Sequence, residues 1–300
     1  IVRPDLYNEV FEGRITYTDT GLNLPPGEAN NRAASGATLN VQVPVMTVGQ
    51  TLATTLGPDQ TLVYKVSVGA GETLRVLLDS SAATGANEVY VRWNDVPTGS
   101  AFDVAYSNPV SPDQTLLVPT TQAGDYYIVV RSRQGGNAAP VTLRADLLPL
   151  SITRVTPDQG GVGDDDHRWV TMDIEGARFA AGALVKLARP GEFEIEPERW
   201  QVLDATRIRA VFDLRHVPLG LYDVIVTNPD GSRVVEPYRY LVERMIEVDA
   251  AIGVGGPRNI EPGDSATYSV SLQSLTNVDT PYVRFDVGAT DMGNSANVLE

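Results

Sequence analysis

Apolar and polar residues alternate one for one in short runs along most of this chain, and turn-forming residues interrupt the alternation every few positions. The clearest runs are Thr61 to Val68, Thr73 to Leu78, Tyr126 to Arg131, Val170 to Ile174, Ile208 to Leu214 and Tyr222 to Thr227. A period of two puts successive side chains on opposite faces of an extended backbone, so each run predicts a strand with one face buried. Between the runs lie Gly57-Pro58-Asp59, Gly69-Ala70-Gly71, Gln134-Gly135-Gly136-Asn137 and Asn228-Pro229-Asp230-Gly231, residue types that supply left-handed or pre-bent backbone for tight turns. Helical spacing is confined to a single turn around Glu196 to Trp200. The pattern predicts an all-β chain of tandem Ig-like or jelly-roll-like β-sandwiches.

Length and composition narrow this. At 300 residues the chain is long enough for two or three domains, each with its own core. A formal net charge of −15 excludes nucleic acid as a partner, since phosphate binding needs clustered Lys and Arg, and it disfavours anionic membrane surfaces for the same reason. With no cysteine in the chain, neither a disulfide framework nor a thiolate metal site can form. No apolar run approaches the roughly 20 residues of a spanning helix, so no membrane insertion is expected. The chain starts at Ile1 without a signal-peptide pattern, which reads as a mature or excised segment.

Four stretches resemble known families. Residues 47–149 contain Gly57-Pro58-Asp59 before the strand Leu62-Val63-Tyr64-Lys65-Val66, then Gly69-Ala70-Gly71-Glu72-Thr73-Leu74-Arg75-Val76, then Ala123-Gly124-Asp125-Tyr126-Tyr127-Ile128-Val129-Val130. This stretch resembles the bacterial pre-peptidase C-terminal (PPC) domain, a small β-sandwich of secreted proteins. Tyr126 and Tyr127 point to opposite faces of their strand, so one is expected in the core and the other toward solvent. Residues 150–244 open with Ile152-Thr153-Arg154-Val155-Thr156-Pro157 and Gly160-Gly161, continue with Val170 to Phe179, and end with Gly220-Leu221-Tyr222-Asp223-Val224-Ile225-Val226-Thr227-Asn228-Pro229-Asp230-Gly231. They resemble an IPT/TIG domain, an immunoglobulin-like sandwich. Residues 1–46, through Pro26 to Asn31 and the strand Ala37 to Val43, resemble the closing part of a cell-adhesion-related (CARDB) sandwich, and residues 245–300, through Glu261 to Leu272, resemble the opening part of one. Together the two ends have about the length of a single Ig-like domain.

Candidate chemistry is sparse. His167 and His216 are the only imidazoles, and Gly-x-Ser-x-Gly, His-Glu-x-x-His and phosphate-loop spacings are absent, which removes most hydrolytic designs. Catalytic residues are therefore expected to be none. One local constellation stands out, Asp164-Asp165-Asp166-His167, an acidic insertion where the resembled family has a short neutral turn. Three adjacent carboxylates repel one another, and Ca²⁺ held by oxygen would relieve that repulsion. Against this, the spacing lacks the alternate-residue ligands of a calcium loop, which favours a solvated turn. Trp93, Tyr106, Trp169 and Trp200 could stack on sugar rings, but they fall on separate modules, where packing accounts for them more economically.

These observations predict a non-catalytic module array of an extracellular or cell-surface structural protein. Its partners would be copies of itself or adjacent repeats joined head to tail, with Tyr268 to Leu272 of one unit sharing a sandwich with Ala37 to Val43 of another. A carbohydrate- or cell-surface-binding region, with a surface glycan as partner, and the accessory region of a secreted peptidase remain as alternatives. Leu147-Leu148-Pro149-Leu150 and Leu241-Val242-Glu243-Arg244 lack flexible Gly/Ser tracts, so neighbouring modules are expected to pack on each other.

Overall fold

The computed structural model describes residues 42–300 apart from 84, 134–137, 258, 260–264, 281–287, 291–295 and 299–300. Ile1–Pro44 and Val45–Glu300 are separate units, and the expected strand Ala37 to Val43 lies outside the described residues except for its last two positions. No helix occurs among the described residues.

The first sandwich contains β1 (Val45–Met46), β2 (Thr51–Leu56), β3 (Thr61–Val68), β4 (Thr73–Ser80), β5 (Asn87–Trp93), β6 (Val104–Ala105), β7 (Gln114–Val118), β8 (Gly124–Ser132) and β9 (Ala139–Leu148). Its sheets run β1-β3-β8-β5-β6 and β2-β9-β4-β7. All pairings are antiparallel except β1 with β3. The alternation read from the sequence explains the packing: Tyr64, Val66 and Val68 of β3, Leu74, Val76 and Leu78 of β4, and Tyr126, Ile128 and Val130 of β8 turn inward together. Tyr127 is half-buried on the other face of β8.

The second sandwich contains β10 (Ser151–Thr156), β11 (Gln159–Val162), β12 (Trp169–Ala177), β13 (Leu184–Arg189), β14 (Phe193–Ile195), β15 (Arg199–Asp204), β16 (Arg207–Asp213), β17 (Gly220–Thr227) and β18 (Arg233–Arg244). Its sheets run β10-β12-β16-β15 and β11-β18-β17-β13-β14, with β11 parallel to β18. Met172, Ile174, Ile208 and Phe212 of one sheet meet Leu187, Tyr222, Val224, Val226 and Tyr240 of the other. The helical turn expected around Glu196 to Trp200 is not formed. Glu198 N donates to Val211 O at 2.9 Å, so the backbone joins the neighbouring strand instead of closing on itself, and Arg199 and Trp200 begin β15.

Both sandwiches use the same corner. Gly124 (φ 134°) and Gly220 (φ 140°) take backbone that only glycine adopts freely, and each sits two residues before a core tyrosine. Tyr126 Oη accepts from Gln122 N at 2.9 Å, and Tyr222 Oη donates to Pro218 O at 2.8 Å. In each case the hydroxyl ties the incoming loop to the strand four residues later, the arrangement known as a tyrosine corner in Ig-like sandwiches. Gly160 has a different role: a Cβ there would overlap the Tyr240 hydroxyl and crowd Leu214.

Beyond Arg244, β19 (Ala250–Gly255) and β20 (Ser269–Ser274) form a two-stranded antiparallel hairpin, and β21 (Gly288–Thr290) pairs with β22 (Ala296–Val298). Ile252 faces Leu272 and Val254 faces Val270, and all four stay 43–71% exposed.

Removing either corner hydroxyl, by Tyr126→Phe or Tyr222→Phe, is expected to cost about 1 kcal/mol in urea unfolding, and Gly160→Ala about 1–3 kcal/mol through overpacking. Unchanged midpoints for both tyrosine variants would mean that the corners contribute nothing.

Candidate functional site

The acidic insertion lies in the loop between β11 and β12. Asp164 Oδ1 accepts from the backbone N–H groups of Asp166 (3.0 Å) and His167 (2.9 Å) and lies 3.1 Å from His167 Nδ1. These bonds, the His167 amide foremost, hold the Asp164 carboxyl below the usual carboxylate range. Asp165 turns the other way and takes Arg215 Nη1 at 2.7 Å. Arg215 also grips Asp213 through Nε and Nη2, and Asp166 is exposed. Asp164 and Asp165 thus answer to different partners, and among the described residues no group of three or more His, Asp and Glu side chains could hold a metal ion. The amides lie against Asp164 and the guanidinium against Asp165.

A second polar cluster, which the sequence reading did not single out, centres on Glu88. Its carboxylate, 8% exposed, accepts from Tyr90 Oη (3.2 Å), Tyr106 Oη (3.3 Å) and Arg133 Nε (2.8 Å). The Tyr90 ring meets Tyr106 edge-on at 5.5 Å and Phe102 at 5.6 Å. Burial, then the charge of Glu88, pushes the Tyr90 hydroxyl far above its ordinary value, so it stays a donor. The period-two placement of Glu88 and Tyr90 on one face of β5 was the available signal; Arg133, from the end of another strand, had none.

His167 faces Asp164, and His216 is exposed in a turn at φ 60°. Among the described residues neither is hydrogen-bonded to a hydroxyl. The aromatic candidates are also tied individually. Trp93 Nε1 donates to Ala123 O at 3.2 Å and Trp200 Nε1 to Ala183 O at 2.9 Å, while Arg168 covers the Trp169 ring at 4.3 Å. With Trp93 and Tyr106 on the first sandwich and Trp169 and Trp200 on the second, no stacking platform joins them.

The two sandwiches also meet through polar groups at their joint. Only Pro149 and Leu150 separate β9 from β10. Thr73, with no solvent exposure, donates through Oγ1 to Pro119 O at 2.9 Å and accepts from Arg178 N at 3.1 Å. Arg178 Nη1 lies 3.0 Å from Glu72 Oε2. Arg178, at φ 59°, is held from behind by Asn228, whose Nδ2 donates to Arg178 O and whose Oδ1 accepts from Ala180 N. The ion pair is partly exposed and worth at most about 1 kcal/mol; the buried hydroxyl matters more, since losing its partners would leave Arg178 N unsatisfied.

No protein-family model and no curated protein matches the chain. Among solved structures it is similar to the pre-peptidase C-terminal domain of a collagenase from Bacillus anthracis, with 13% identity and a TM-score of 0.30, covering 36% of this chain and 99% of that domain. It is also similar to PliG of Aeromonas hydrophila, a periplasmic inhibitor of g-type lysozyme, with 18% identity and a TM-score of 0.28, covering 35% of this chain and 99% of that one. Likeness at this level transfers no site residue.

Besides Asp164, carboxyls held below their ordinary values include Asp146, where Arg75 and Arg144 outweigh burial; Asp213, where Arg215 outweighs burial; and Asp173, through its bond from Arg209. A carboxyl more acidic when folded contributes its full stability above the unfolded pKa of about 3.9 and loses it as pH falls through the folded value. The urea midpoint is therefore expected to stay level from about pH 8 to 5 and to drop below about 4, less steeply in Asp213→Asn. A drop that begins near pH 6 would assign the effect to other groups.

Proposed function

We propose that this chain is a non-catalytic structural segment of an extracellular surface or matrix protein, in which β-sandwich modules are held at fixed angles to act as a stiff spacer. The joint at Thr73, Arg178 and Glu72 carries the reading. A flexible tether needs solvated, polar connecting residues, whereas Leu147 packs on the first core and Leu150 on the second. Acidic composition with its positive charge almost all on Arg, and the mutual engagement of the polar clusters, support a scaffold rather than a reactive centre.

The same reading assigns the apolar face of β19 and β20 to the head-to-tail contact of successive units, with Ala37 to Val43 of another copy or repeat as its counterpart. Its support is that Ile252, Val254, Val270 and Leu272 share one exposed face, and that neither hairpin strand carries a charge.

The natural absence of cysteine makes the joint measurable by electron–electron distance spectroscopy. Spin labels on Thr115→Cys and Arg207→Cys, both exposed, are expected to give one narrow distance distribution in the full chain. Thr73→Val and Arg178→Ala should broaden it. A broad distribution without those changes would overturn the stiff-spacer reading.

A further inference from the structure

The chain leaves the second sandwich at Arg244, forms the β19–β20 hairpin, and comes back. On its return, Asn277, only 8% exposed, accepts through its backbone oxygen from Gly161 N at 2.8 Å and through Oδ1 from Ile246 N at 2.8 Å. Its Nδ2 donates to Glu243 Oε1 and Arg244 O, each at 3.0 Å. Val278 is 6% exposed. Asp279 N donates to Trp169 O at 2.8 Å, and its carboxylate accepts from Thr171 N at 2.9 Å and Thr171 Oγ1 at 2.5 Å.

These three residues fill two gaps left by the sheets. β10 pairs with β12 only from Asp173 onward, so the β12 edge at Trp169 to Thr171 has no strand beside it on that side. β11 is the outermost strand of the opposite sheet, so Gly161 N also points away from any partner strand. Asn277 closes the second edge and Asp279 the first. An independent sign comes from Gly161. A Cβ there would overlap the Asn277 side chain and crowd the backbone of Met245, so the strand is bare where the returning segment crosses it, as a strand glycine is where another backbone approaches closely.

We infer that residues 277–279 are the closing segment of the second sandwich and act as a latch, so that the β19–β20 hairpin is an arm inserted in that sandwich and pinned at both legs. The second module then ends near Asp279 rather than at Arg244, and the apolar face of the hairpin is presented at a fixed angle. Asn277 is the centre of the latch because one side chain binds the outgoing leg at Glu243, Arg244 and Ile246 while its own backbone binds β11. Without the latch, the β11 and β12 edges would be open backbone, the condition natural sheets avoid.

The test uses the full chain. In Asn277→Ala/Asp279→Ala, amide exchange at Gly161 and Thr171 is expected to rise about tenfold or more, the loss of one net hydrogen bond, while Ile174 and Ile208 in the β12–β16 ladder keep their protection. Gly161→Ala, which leaves every latch donor and acceptor in place, should have the same effect. Spin labels on Val254→Cys and Glu194→Cys should report a narrow distance that broadens in both variants. Unchanged exchange at Gly161 and Thr171, or a distance already broad without the changes, would overturn the latch. Loss of protection at Ile174 as well would mean that the whole sandwich had melted and would also count against a local latch.

Discussion

With only Pro149 and Leu150 between the last strand of one sandwich and the first of the next, polar groups at the facing ends cannot all be hydrated and must satisfy one another. Thr73 shows the result. Its hydroxyl lies out of solvent and links the β7–β8 connection of its own sandwich to the end of β12 in the other. An unpaired amide in that place would be costly, so Arg178 is held in left-handed backbone that a long side chain ordinarily avoids. Asn228, in the turn between β17 and β18, completes the chain of bonds. Short connection, buried hydroxyl and strained arginine are one arrangement with one cause.

The cores were legible in the sequence because period-two alternation is a local signal. Thr61–Val68 was readable to the residue, the runs at Tyr126, Val170 and Tyr222 each fall within a longer strand, and the run Ile208 to Leu214 is β16 displaced by one residue. The turn around Glu196 was misread for a matching reason. Three or four residues with mixed spacing carry no decisive period, and the neighbour that captures Glu198 N is Val211, thirteen positions on in the chain. The polar contacts were the least legible. Glu88, Tyr106 and Arg133 come from three strands or strand ends, and Thr73 and Arg178 from two sandwiches, so nothing in their spacing could announce them. Asp164 to Asp166 gave the opposite case, a conspicuous local pattern of which the fold turns Asp164 to a backbone amide and Asp165 to Arg215.

The described parts of the chain differ in how far they cover themselves. In the two sandwiches, large apolar side chains such as Tyr126, Phe212 and Tyr240 lose all or nearly all solvent contact, as close-packed interiors require. The β19–β20 hairpin leaves its apolar face largely exposed, and a two-stranded sheet has little independent stability. At its base the Asn277 side chain ties the two legs together, while the Asn277 backbone oxygen and the Asp279 carboxylate reach back to the sandwich.

The parallel pairing of β11 with β18 sets how the second sandwich would respond to tension. β18 is its last long strand and β11 lies close to its start, so a pull between Gln159 and Arg244 would draw the two past each other lengthwise. Four residue pairs, from Gln159 with Leu241 to Val162 with Arg244, would then be strained together, since parallel ladders space their bonds evenly along the strand. A hairpin pulled at its open end releases its bonds one after another. The β11–β18 ladder would resist such a pull as a unit.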